Sequence, residues 1–227
     1  MSELTSTVRV WDLPTRIFHW ALALLVLGSA VSGTVGSSAM VWHFRFGYAV
    51  LALLLFRLVW GLVGGRWSRF SSFIYGPTSL INYLKGHGKP EHLVGHSPTG
   101  ALSVFALLAV LLAQVGSGLI SDDEIASAGP LTGFVSSATV SVATNYHQNI
   151  GRWLVLALVI LHILAVLFYL WKKKENLTGS MWHGDKNLAS ALPASRDDKR
   201  SRLFAAAVLA LCAVLVAWLV NLTAPTF

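Results

Sequence analysis

The chain has 227 residues, 55% of them hydrophobic and only 12% charged, with a mean hydropathy of +0.63. Soluble domains carry about 25% charged residues, so a water-soluble enzyme is excluded; five apolar helices of ~20 residues would leave only short loops. The lone Cys212 excludes a disulfide framework, an iron–sulfur cluster held by four thiolates and a CxxCH-attached haem.

The charge-free runs locate the spans in chain order. The run 17–44 breaks at Ser32-Gly33, which predicts a first span over Ile17–Ser32 and a second over Val41–Leu62, with Arg57 near its end. The third is expected over Thr99–Ile120, the fourth over Tyr146–Trp171 and the fifth over Leu203–Leu222. Segment 125–145 is uncharged but rich in Ser, Thr and Gly and contains Pro130, so it reads as an external loop rather than a sixth span. The first apolar stretch is read as a span and not as a cleaved signal peptide, because cleavage would discard His19. Trp20, Trp42, Trp60, Trp153, Trp171 and Trp218 fall near predicted ends, as an interfacial aromatic belt requires.

Charge placement sets the expected topology. Two basic residues fall in 1–16, five in 57–97 and eight in 172–202, together fifteen of the seventeen. The opposite loops, 33–42 and 121–146, have none, and the second carries Asp122-Asp123-Glu124. The positive-inside bias then places the N-terminus in the cytoplasm and the C-terminus outside. The net charge of +7 belongs to this membrane asymmetry, and no nucleic-acid partner is expected.

Eight histidines occur. His87, His92, His96 and His183 fall in cytoplasmic loops and read as solvated residues, with His96 the one that invites another role. His19, His43, His147 and His162 fall inside predicted spans, where ionisable side chains are costly and by default functional. His147 and His162 are 15 residues apart, hence ~22 Å along one helix and on one broad face. His43 enters from outside at the height of His147, and His19 lies ~21 Å from the outer end, level with His162. Two sites are expected, an outer His43/His147 and an inner His19/His162. Facing neutral imidazoles in an apolar bundle suit an axially ligated haem iron, whereas zinc or copper would want further N, S or O ligands at the same depth. Two bis-histidine b-type haems follow.

Glycines and arginines extend the expected sites. Gly47 and Gly151 each follow a histidine by four residues, one turn along the same face, where bare backbone admits a porphyrin or an ordinary helix contact equally well. The two basic residues that break the positive-inside pattern, Arg45 and Arg152, lie beside the outer histidines and suit haem propionates better than simple snorkelling. Arg16 is the corresponding candidate for the inner haem. His96, Gln114, Asn145, Gln148 and Asn149 are polar residues near span ends within reach of a quinone, though an ordinary hydrogen bond is the commoner use of each. The acidic cluster 122–124 either steers a basic partner or simply solvates a loop.

The stretches Val10-Trp11-Asp12-Leu13-Pro14-Thr15-Arg16-Ile17-Phe18-His19-Trp20, His43 with Gly47-Tyr48, Arg57 through Gly61 and Gly64 to Arg69-Phe70, Gly95-His96-Ser97-Pro98-Thr99-Gly100, Gly118-Leu119, Asp122-Asp123, Gly129-Pro130-Leu131, and Tyr146-His147 through His162 resemble the bacterial cytochrome b561 and nickel-hydrogenase b-type cytochrome family over roughly residues 8–175. The resemblance implies a dihaem cytochrome of the bacterial cytoplasmic membrane whose ligands match His19, His43, His147 and His162. It also implies electron passage between the quinone pool and an external redox partner, a cytochrome c or a hydrogenase. Superoxide oxidation with quinone reduction is a further activity found in such a family, although the outer loops here lack basic residues. A non-haem transporter or membrane anchor is the reading from another class. The expected fold is an all-α integral membrane bundle: a haem-binding four-helix domain in 1–175, a basic cytoplasmic connection in 176–202 and an additional span with a short external C-terminus in 203–227. Lipid is its medium, and a homodimer stays open.

Overall fold

In the computed structural model, residues 6–125, 127–189 and 192–222 are described. The expected external C-terminal tail, 223–227, lies outside them. Five helices are long and apolar enough to cross a membrane, and the fold is an all-α membrane bundle. The long helices are α1 (Leu13–Val35), α2 (Met40–Val63), α4 (Pro98–Leu119), α6 (Arg152–Lys172) and α8 (Lys199–Asn221). Short helices α3 (Pro77–Leu84), α5 (Ser137–Asn145) and α7 (Leu177–His183) join them, with strands β1 (Ser6–Arg9) and β2 (Asp185–Leu188).

Local chemistry explains the boundaries. Helix α1 starts at Asp12, whose Oδ1 accepts the Thr15 backbone N–H at 2.8 Å, an N-cap with Pro14 tolerated in the first turn. The chain leaves α1 through Gly36, at φ +65°, in the left-handed region that costs glycine little. Asn176 caps α7 by accepting from the Gly179 N–H at 2.8 Å. Gly184 ends it at φ +93°, and a Cβ there would come within 2.6 Å of the Trp11 carbonyl.

The chain divides into two units. The first comprises the chain up to His19, Arg57–Phe105 and Leu161–Ala207; the second comprises Trp20–Phe56, Ala106–Ile160 and the chain from Val208. In the first, β1 and β2 pair antiparallel, with Arg9 opposite Asp185. Val8, Val10, Trp11, Trp67 and Val94 form its core, with Met181, Leu188 and Leu192 against it. Lys186 is buried and bonded to Glu175 at 2.6 Å. The basic connection expected over 176–202 therefore contains folded structure, α7 and β2. A sequence window misses this, because a four-residue strand acquires its partner only from residues some 180 positions away.

Two further expectations are corrected. Residues 137–145, expected within an external loop, are helical and continuous with the fourth span, so His147 lies ten residues into that helical run rather than at its start. Ser136 caps the added helix by accepting from Thr139 N–H at 3.3 Å. His92 is not solvated: it is 5% exposed, flanked by the Tyr75 and Tyr83 rings, and its Nδ1 accepts the Lys89 backbone N–H at 3.1 Å.

Candidate functional site

Four imidazoles meet in twos. In the first unit His19 and His162 have ring centroids 6.2 Å apart, and in the second His43 and His147 stand 5.9 Å apart. Imidazoles bound to opposite faces of one metal at ~2.0–2.1 Å per nitrogen place their centroids about 6 Å apart. Among the described residues no three His, Cys, Asp or Glu side chains gather as a metal site. Each pair thus offers two axial nitrogens and no equatorial ones, which fits a metal that brings its own planar ligand.

The second pair is seated by one device used twice. The His43 Nδ1 lies 2.8 Å from the Ser29 carbonyl, and the His147 Nδ1 lies 2.8 Å from the Gln114 carbonyl. A carbonyl oxygen only accepts, so each Nδ1 carries the proton and each Nε2 keeps its lone pair for a metal. Four residues beyond each carbonyl stands a glycine that lets the ring lie on the helix backbone. A Cβ on Gly33 would fall 2.8 Å from His43 Nδ1, and one on Gly118 2.8 Å from His147 Cε1. Sequence reading treated Gly33 only as a span break. The carbonyl-plus-glycine spacing i, i+4 is the signal that would have located the seats.

His147 itself lies in a π-helical turn, Tyr146–Gly151. Such bulges inside α-helices recur at functional positions. Gln114, named from sequence as a quinone candidate, is committed here: its Nε2 donates to the His147 carbonyl at 3.0 Å, and its side chain rests on the Gly151 backbone. Gly151 thus accommodates Gln114 in close approach. Gly47 presents bare backbone one turn beyond His43, and a Cβ there would meet no atom within 4 Å.

The arginines are placed as follows. Arg45 and Arg152 are exposed, each with its guanidinium over a neighbouring ring, Trp42 at 5.1 Å and Trp153 at 4.9 Å. Arg16 donates from Nη1 to the Trp182 carbonyl at 2.6 Å, and its Nε is buried without a hydrogen-bond partner. Asn145 and Asn149 bond each other at 3.0 Å and, with Gln148, Asp122 and Glu124, line a polar pocket of about 560 Å³ in the second unit. Asp122 and Asp123 spend acceptors on their own turn, taking the N–H groups of Glu124 and Ser127 at 2.7 and 2.8 Å.

Asp12 is a structural residue that sequence reading did not single out. Wholly buried, it accepts from Thr15 N, Trp60 Nε1, Gly65 N and Ser68 Oγ. The buried Arg57 donates to the Ser68 carbonyl at 3.0 Å beside it. A helix-capping Asp two residues before a proline was the available signal.

Residues 10–184 match the family model described as prokaryotic cytochrome b561. The chain belongs to that family. This cytochrome b561 family member is a multi-pass membrane b-type cytochrome, so it carries haem b and transfers electrons. It is similar to the probable Ni/Fe-hydrogenase B-type cytochrome subunit of Bradyrhizobium diazoefficiens, 24% identical over 79% of this chain and 86% of the relative. It is likewise similar to the probable Ni/Fe-hydrogenase 1 B-type cytochrome subunit of Escherichia coli K12, 25% identical over 70% of this chain and 81% of the relative. No solved structure matches the chain.

Proposed function

We propose that this chain is a dihaem electron carrier of the bacterial cytoplasmic membrane, linking the quinone pool to a periplasmic redox partner. The observation that carries this reading is the presence of two imidazole pairs with centroids 6.2 and 5.9 Å apart. His19 and His162 hold the inner haem, and His43 and His147 the outer one. Haem b held by these four histidines would supply a one-electron iron couple. The Ser29 and Gln114 carbonyls fix the tautomer of the outer ligands and raise their basicity. Arg45 and Arg152 offer bidentate partners to the outer haem's propionates, and Arg16 to the inner haem's. Gly47 and Gly151 keep the backbone bare on the faces of the outer ligands.

The positive-inside bias supports a cytoplasmic N-terminus. Residues 1–175 are the haem-bearing domain, 176–202 the basic cytoplasmic connection and 203–227 an additional span. The relatives' names support a hydrogenase-type partner, and a cytochrome c-like protein fits the acidic 122–124 turn by charge.

Haem-to-chain ratio and difference spectra of purified variants test the reading. Wild type is expected to hold two haems; His43→Ala and His147→Ala each lose the outer one alone, and His19→Ala and His162→Ala the inner one alone. Four variants that keep two haems with unchanged spectra overturn the assignment. Reduction by ubiquinol and menaquinol analogues, set beside reduction by superoxide, identifies the donor class.

A further inference from the structure

His96 stands just before α4, and three contacts hold it in place. Its ring lies against Phe73 at 4.3 Å and edge-on to Trp11 at 4.8 Å, and its carbonyl accepts the Tyr75 hydroxyl at 3.0 Å. Yet its Nδ1 is buried and has no hydrogen-bond partner among the described residues. Native structures rarely leave a buried polar atom in that state, and each instance calls for a missing partner.

Its surroundings say what that partner is. Burial, and then the charges of Arg57, Lys186, His19 and His162, push the His96 imidazole down to about 3, so the ring is neutral, and with its proton on Nδ1 it is a donor. Burial opposes a charge of either sign there, while Arg57 and Lys186, the cations among its neighbours, would attract an anion. Arg16, one turn before His19, also has a buried nitrogen, Nε, with no hydrogen-bond partner among the described residues, and a guanidinium nitrogen only donates. Trp11 and Gly184 connect the two: the Trp11 ring meets His96, and Gly184 lies against both the Trp11 carbonyl and Arg16 Nε, since a Cβ on it would come within 2.6 and 3.1 Å of them. Two stranded donors ask for two acidic acceptors, which are what the edge of haem b presents.

We propose that His96 Nδ1–H donates to one propionate of the inner haem and Arg16 Nε–H to the other. The inference rests on the inner-haem assignment given above. A quinone carbonyl is the rival acceptor, but it supplies no negative charge.

The test uses the full-length holoprotein, His96→Phe, and His96→Gln, which keeps an N–H donor. Transfer of haem to excess apomyoglobin and the propionate bending bands in resonance Raman are the readouts. One haem should leave H96F roughly tenfold faster, the effect of losing one charge-assisted hydrogen bond, with a shifted propionate band; H96Q should restore both. Wild-type protein reconstituted with haem dimethyl ester, which removes the contacts of both His96 and Arg16, should release the inner haem faster still than H96F does, and H96F should add nothing to it. This arm also decides the matter if H96F does not accumulate, since ester and free-acid haem then release at equal rates only if the proposal is wrong. Wild-type release and bands in H96F overturn it, as does a raised KM for quinol with both readouts unchanged. A wild type holding a single haem defeats the two-haem reading and this inference together, whereas two haems with a silent H96F defeat the inference alone.

Discussion

Gly33 and Gly118 are held by contact rather than by turn geometry. A Cβ at either position would lie 2.8 Å from an imidazole atom, so the ring must move. Alanine gains up to ~1 kcal/mol of helix propensity over glycine, which ordinarily stabilises a helix. Here the overlap dominates: on the dihaem assignment proposed above, Gly33→Ala and Gly118→Ala are each expected to release the outer haem, read as a haem-to-chain ratio falling from two towards one. Gly116→Ala is the control, because its Cβ would meet nothing within 4 Å; it should keep both haems with a thermal midpoint at or above wild type. Equal haem content in all three would show that the seats tolerate bulk. At Asp12 the expectation concerns stability. Asn in its place turns an acceptor oxygen into a donor facing donors and leaves the buried Arg57 without its neighbouring charge. Breaking a buried charge network by removing one partner costs roughly 3–5 kcal/mol, so the midpoint in detergent should drop by many degrees, with both haems retained at low temperature.

Among the elements, the pairing of β1 with β2 has a pH signature. Burial opposes ionisation of Asp197, but hydrogen bonds from Arg202 and the Leu13 N–H, with the charges of Arg202 and Arg9, outweigh it and hold the carboxyl below the usual carboxylate range. A carboxyl lowered on folding contributes stability that is complete above its unfolded value, ~4, and fades as pH falls through the lower folded value. Amide exchange of residues 6–9 and 185–188 should therefore be slow at pH 5 and accelerate on further acidification. Asp197→Asn should exchange faster at pH 5 and lose most of that dependence; an unchanged profile would remove Asp197 from the account. The π-turn is an element of another kind. Gln114 donates into it at His147, so Gln114→Leu is expected to shift the outer haem's spectrum while leaving the inner one alone.

For the whole molecule, the test is sidedness. The basic segments should be reached from one face of sealed vesicles and the 122–135 region from the other. Trypsin added to inside-out vesicles should cut at Lys172–Lys174, and a cysteine placed at Ser137 should label only from the opposite side. Labelling from the trypsin-sensitive side would reverse the topology. Helix α8 bears on the status of the additional span. In the first unit its Phe204 packs on Trp60 at 6.3 Å, and in the second its Val216 joins Leu51, Ala52 and Leu119 in a buried cluster. Val216→Asp should therefore impair accumulation of the whole chain rather than of its last span alone.

Hydropathy and charge are local and additive along the chain, so the sequence by itself determined five spans, and counting at 1.5 Å per residue pointed to the same two histidine pairs whose rings stand together in the structure. Family membership was legible too, in motifs spread from Val10 to His162. Tertiary structure decided what depends on distant partners. It paired β1 with β2, buried His92 and the Nδ1 of His96, and drew Asp12, Arg57 and Ser68 into one network. It also set the Ser29 and Gln114 carbonyls against the rings of His43 and His147. None of these contacts leaves a periodic trace, because each is made by single residues whose partners become neighbours only after the helices have packed.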